Sequence, residues 1–180
     1  MLRSLLLLVV LLLPAISFAQ EKNGHLTLVG GLSVPDSENT RTHFVYGVNG
    51  GISVTQFYGI GGYHYISNSL KGPNDGDFQY SMTGLEGRYY LTNGDKMVFL
   101  ALRAGVGKIN NNVSGVGRVF SPYHWGVASG YSIQFWRRLN VGIEGSFLAF
   151  GRSKTTSSGT AYELKPFHVI NFLLVLALTL

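Results

Sequence analysis

The chain has 180 residues, a formal net charge of +5, no cysteine, 24 glycines and only 13% charged residues. Without thiols it forms neither disulfides nor thiolate metal sites, and its positive charge is too scattered to make a nucleic-acid stripe. At 46% hydrophobic residues it is too apolar to stay disordered, and its length suits one domain.

The first segment, "MLRSLLLLVVLLLPAISFAQ", has a basic start at Arg3, an apolar run from Leu5 to Leu13, and the small residues Ser17 and Ala19 before a cleavage point. This is the three-part form of a secretory signal peptide, and the run is short for a bilayer-spanning helix. Residues 1–19 are therefore expected to be removed, leaving 20–180 as the folded domain. The rest of the chain shows no helical period. Runs of about ten residues alternate between apolar and small or polar side chains, divided by turn-forming clusters. Eight strands are predicted, at 25–34, 44–55, 58–67, 78–91, 97–108, 120–134, 139–150 and 167–180.

An even number of strands this long fits an eight-stranded antiparallel transmembrane β-barrel, because about nine to eleven tilted residues cross the hydrocarbon core. A soluble β-sandwich would alternate too, so the position of the charges decides. Glu86, Arg88, Arg103 and Glu144 lie inside strands on the face opposite the large aliphatics. In a membrane barrel the aliphatics meet lipid and the charges pair in the lumen. Gly47, Gly51, Gly59, Gly61, Gly105, Gly107, Gly126, Gly130 and Gly142 share that inner face and leave room beside the charged side chains.

Loop lengths agree. Short connections are predicted at 56–57, 92–96 and 135–138, and long polar ones at 35–43, 68–77, 109–119 and 151–166. Short inner turns and long external loops are the asymmetry of outer-membrane barrels. Aromatics cluster at strand ends as interfacial girdles do: Phe44, Tyr46, Tyr80, Tyr123 and Trp125 at the outer rim, and Tyr58, Tyr89, Phe135 and Trp136 at the inner one. "NNNVSGVG" and "TTSSGT" read as flexible surface loops from composition.

With its strand–turn–strand unit "LEGRYYLTNGDKMVFLALRAGVG", the chain resembles the small outer-membrane β-barrel families of the OmpA/OmpX type over its whole mature length. The resemblance implies residence in the cell outer membrane of a Gram-negative-type bacterium. It also implies contact with outer-membrane lipid and lipopolysaccharide, and handling by the barrel-assembly machinery. It departs from the group in ending "LALTL" rather than with an aromatic residue.

Eight strands enclose a lumen that side chains just fill, and charges buried there must be paired. Glu86, Arg88, Arg103 and Glu144 are thus expected either to plug the lumen as a network or to line a narrow ion pathway. A second candidate is "HYISNSLKGPNDG", which resembles the motif of the lipid A 3-O-deacylases. That likeness implies a histidine base at His64, a serine nucleophile at Ser67 and a carboxylate at Asp77. Yet His64 and Ser67 are three positions apart, and side chains alternate along a strand. They reach each other only if a bulge at Tyr65–Ile66 re-aims one of them; otherwise the segment is an ornate hairpin loop. His25, His43, His124 and His168 have no metal-ligand spacing, and no cofactor is implied. Lys108, Arg118, Arg152, Lys154 and Lys165 fall near the external side, as contacts for lipopolysaccharide phosphates or as plain solubilising charge.

Overall fold

The computed structural model describes residues 24–36, 42–69, 78–92, 95–113, 116–157 and 159–180. The predicted signal segment and Asp77 lie outside them. The described residues form eleven strands: β1 (Gly24–Pro35), β2 (His43–Ser53), β3 (Tyr58–Ser69), β4 (Phe78–Thr92), β5 (Lys96–Val113), β6 (Val116–Phe120), β7 (Tyr123–Trp136), β8 (Leu139–Phe150), β9 (Ser153–Ser157), β10 (Thr160–Leu164) and β11 (Phe167–Thr179).

Eight of these strands close into an antiparallel barrel in the order β4-β3-β2-β1-β11-β8-β7-β5, with β5 returning to β4. Each strand pairs with its neighbour along the chain. The ring is sealed by β1 and β11, which stay in register from His25↔Thr179 to Pro35↔Val169. All eight predicted segments are present. The main shift is at the sixth, where Phe120 belongs to β6 and the barrel strand begins at Tyr123.

Two segments predicted as flexible loops are instead ordered hairpins. β5 continues past the barrel wall to Val113 and pairs with β6, from Ile109↔Phe120 to Val113↔Val116. β9 and β10 pair from Ser153↔Leu164 to Ser157↔Thr160, across a turn in which Gly159 has φ +79°. β9 reads Ser-Lys-Thr-Thr-Ser, and cross-strand pairing outweighs the loop-like composition. On the opposite side the connections are short. Arg137 and Arg138 alone join β7 to β8, with Arg137 at φ +42°, as a two-residue hairpin demands.

The large aliphatics point outward: Leu85 is 77% exposed, and Leu102 and Leu174 are each 70% exposed. A water-soluble sandwich would bury these side chains, so the barrel reading holds and the sandwich does not. Phe44, Tyr46, Tyr123 and Trp125 are exposed at one rim, and Tyr58, Tyr89, Phe135 and Trp136 at the other. Tyr80 departs from the expected girdle, because its ring is buried in the lumen.

The lumen is filled in three levels. Tyr90, Phe99, Ala101 and Ala128 pack at the end with the short turns. Charged groups occupy the middle. At the loop end lies an aromatic cluster that includes Tyr63, Tyr65, Tyr80, Phe150 and Phe167, with the Phe150 and Phe167 rings stacked at 4.7 Å.

Candidate functional site: a charge network across the lumen

The middle level is built by strand parity. Glu86 and Arg88 on β4, Arg103 on β5 and Glu144 on β8 all face inward, and each is at most 6% exposed. Glu86 is directly opposite Arg103 in the β4–β5 register. Between β5 and β8, the middle of strand β7 turns only the small residues Gly126, Ala128 and Gly130 inward, so the long Arg103 side chain spans the gap to Glu144.

The four groups form one connected cluster. Arg103 gives Nη1 and Nη2 to the two oxygens of Glu144, at 2.6 and 3.0 Å, and Nε to Oε2 of Glu86 at 2.6 Å. Its fork therefore makes a bidentate bond to one carboxylate and a single bond to another, the strong geometry for guanidinium. Arg88 donates Nε to Oε1 of Glu86, which also accepts Nδ2 of Asn49 at 3.0 Å. Asn49 Oδ1 in turn lies 3.2 Å from His25 Nε2. Two carboxylates and two guanidiniums cancel in charge. Each buried ion thus has a partner, as a low-dielectric interior requires.

Aromatic rings wall the cluster on both sides. Arg88 lies 4.3 Å from the Phe99 ring centroid, and Arg103 lies 5.3 and 5.2 Å from those of Tyr63 and Tyr65. On the loop side, the Tyr63 hydroxyl and His124 Nε2 are 2.5 Å apart. Tyr80 hydrogen-bonds Ser33 and reaches Asn171 Oδ1 at 3.4 Å. Sequence reasoning did not foresee Asn49, His25, Tyr63, Tyr65 or His124 here. The available signal was parity: each falls on the same alternation as the inward glycines of its strand or of the strand beside it.

The other candidate pair does not assemble. The β2–β3 and β3–β4 registers run unbroken through this segment, Gly47↔Tyr65, Tyr46↔Ile66, Tyr65↔Met82 and Ile66↔Ser81, so there is no bulge. Ser67 is fully buried in the lumen, where its Oγ accepts the Tyr80 backbone N–H at 3.1 Å. His64 is on the outer wall, with Nδ1 2.6 Å from Thr83 Oγ1. The two side chains face opposite sides of the sheet.

At the loop end two cations, Arg118 and Arg152, are engaged. The Arg118 guanidinium sits 3.7 Å from the Tyr162 ring centroid, Arg152 Nε pairs with Glu163 at 2.9 Å, and Lys154 is the cross-strand partner of Glu163. Asp36 clasps His168, accepting its backbone N–H at 2.7 Å and lying 2.6 Å from Nδ1. These hydrogen bonds, the backbone one foremost, hold the Asp36 carboxyl below the usual carboxylate range. Among the described residues no group of His, Asp and Glu is arranged to hold a metal ion.

A closed eight-stranded antiparallel barrel, apolar outside and charged at its centre, is the fold of the small outer-membrane β-barrels. No family model and no curated protein sequence matches the chain. Among solved structures it is similar to Neisserial surface protein A, with a TM-score of 0.67 and 12% identity over 87% of this chain and 96% of that one. It is also similar to Ail, the attachment invasion locus protein of Yersinia pestis, with a TM-score of 0.60 and 12% identity over 89% of this chain and all of that one. The outer membrane protein OprG of Pseudomonas aeruginosa matches with a TM-score of 0.58 and 10% identity, over 91% and 99% of the two chains. At these identities the likeness is one of fold.

Proposed function

We propose that this chain is an integral outer-membrane barrel whose lumen is plugged and whose role is structural or adhesive rather than catalytic. It would be exported by its signal segment, assembled by the barrel-assembly machinery, and would meet lipopolysaccharide or a surface partner through its external hairpins. The observation that carries the reading is the Glu86–Arg88–Arg103–Glu144 network, with Asn49 and His25 joined to it. A set of mutually paired charges across a lumen that side chains just fill supports a plug, because it offers no uncompensated charge for a permeating ion. The outward aliphatic belt supports the membrane setting. Exposed Lys154 and Lys165 at the loop end support contact with anionic groups, and Ail has been crystallised with the heparin analogue sucrose octasulfate. The separation of His64 from Ser67 removes the hydrogen bond that a serine esterase needs.

Planar-bilayer recording tests the plug. Wild type is expected to show no steady open level, and a stable conductance in the unmodified protein overturns it. Lipid A from cells making wild type or Ser67→Ala is expected to have the same mass; deacylation by wild type alone overturns the non-catalytic reading.

A further inference from the structure

The outer wall of β2–β5 departs from the smooth aliphatic surface expected of a barrel. Gly87 and Ala104 form the floor of a depression of about 620 Å³, edged by Ile52, Ile60, Leu85 and Leu102. A side chain added at Gly87 would meet nothing within 4 Å, so the hollow is open. Its volume falls in the range of small-molecule sites, roughly 300–1,000 Å³. The outward residues that continue up β4 from Leu85 are Thr83, Ser81 and Gln79, all polar. Thr83 bonds His64 on β3, Ser81 is the register partner of exposed Lys108 on β5, and Gln79 donates Nε2 to Asn68 at 3.2 Å.

This polar track begins on the membrane side of the outer girdle, since His64 stands two residues before Ile66, the register partner of Tyr46. His64 and Thr83 are each six residues from the inner-girdle aromatics Tyr58 and Tyr89. That is roughly 20 Å along a strand and roughly 15 Å along the axis at the usual tilt, inside an apolar band about 25 Å tall. A polar pair there is costly unless something shares its hydrogen bonds.

We infer that this wall is a binding site for one anionic lipid of the surrounding bilayer. Its acyl chain lies in the Gly87–Ala104 depression, its oxygen-bearing linkage faces the His64–Thr83 pair, and its charged head meets Lys108. The inference rests on the membrane reading above. A second copy of the chain fits the surface poorly. A twofold interface sets each patch against itself, which would bring Lys108 to Lys108 and leave hollow against hollow.

The barrel carries its own reporter, because Trp125 faces outward beside Ala104 in the β5–β7 register. Trp136→Phe makes it the single tryptophan of the mature chain. The protein is reconstituted into phosphatidylcholine vesicles containing phosphatidylglycerol or phosphatidylcholine brominated on the acyl chain. Trp125 quenching is expected to favour brominated phosphatidylglycerol about fivefold, the factor for one lysine near a charged head. Lys108→Gln should abolish that preference, and Gly87→Leu should return quenching by both lipids to random mixing. Random mixing in the wild type, or quenching indifferent to Gly87→Leu, overturns the site. So does energy transfer between labelled barrels that displaces the quenching, because that result points to a second copy. Failure to insert into vesicles overturns the membrane reading with it, whereas insertion with random quenching overturns the lipid site alone.

Discussion

Arg103 holds both buried carboxylates of the lumen, Glu86 and Glu144, in a single guanidinium fork. Arg103→Met keeps most of the volume but strands the acids, and breaking a buried pair in this way costs about 3–5 kcal/mol. Denaturant unfolding in vesicles should show that loss, with partial recovery on adding Glu144→Gln. Equal stability of wild type and Arg103→Met would mean that the network contributes nothing. At the loop end, Asp36 titrates below its ordinary value because the His168 backbone N–H and ring hold its ionised form. A depressed carboxyl stabilises the folded clasp above the unfolded pKa, about 3.9, and that contribution fades as pH falls through the lowered folded value. The Asp36 carboxyl resonance should therefore stay native-like down to about pH 4 and change only below it. Which residues point inward was legible from alternation alone, and it put all four lumen charges on one face. Tyr80 shows the limit: position near a strand end suggested a rim, while its even offset from Glu86 puts it in the lumen. Parity is the stronger signal, because the pleat fixes it residue by residue.

At the level of elements, the barrel strands were readable but the hairpins β5–β6 and β9–β10 were not. A lipid-facing strand repeats large aliphatics at every second position, a pattern that survives without knowledge of its partners. β6, β9 and β10 are five residues each and too mixed to show that repeat, and their order comes from contacts with one another. Arg118 on β6 lies over Tyr162 on β10, and Tyr162 and Leu164 pack against the top of the lumen cluster. Tyr162→Ala should therefore loosen this loop layer without weakening the barrel. Trypsin cleavage at Arg118 and Lys154 is expected to quicken several-fold while the unfolding midpoint of the barrel stays put. A matching fall in the midpoint would show that the hairpins belong to the same cooperative unit. The partners that meet in the lumen were likewise hidden. Alternation gives a face but not the stagger between strands, and the stagger sets which inward residues share a level.

For the molecule as a whole, the β1–β11 seam joins the two most distant parts of the domain, from His25↔Thr179 to Pro35↔Val169. The inner face of β1 meets it closely: a Cβ at Gly31 would collide with the Phe172 carbonyl of β11. Gly31→Val should cost roughly 1–3 kcal/mol by overpacking and slow the appearance of the compact electrophoretic form. Closure at the wild-type rate would remove this argument. The seam also dictates an order of events. Every other barrel contact joins strands that are neighbours along the chain and can zip as a growing meander, but β1 must wait until the last strand exists. Throughout that interval the sheet has two raw edges, each a row of unanswered N–H and C=O groups ready to capture any passing strand. Long-range closure of this kind is slow, so those edges stay open to capture until β11 is in place to pair with β1.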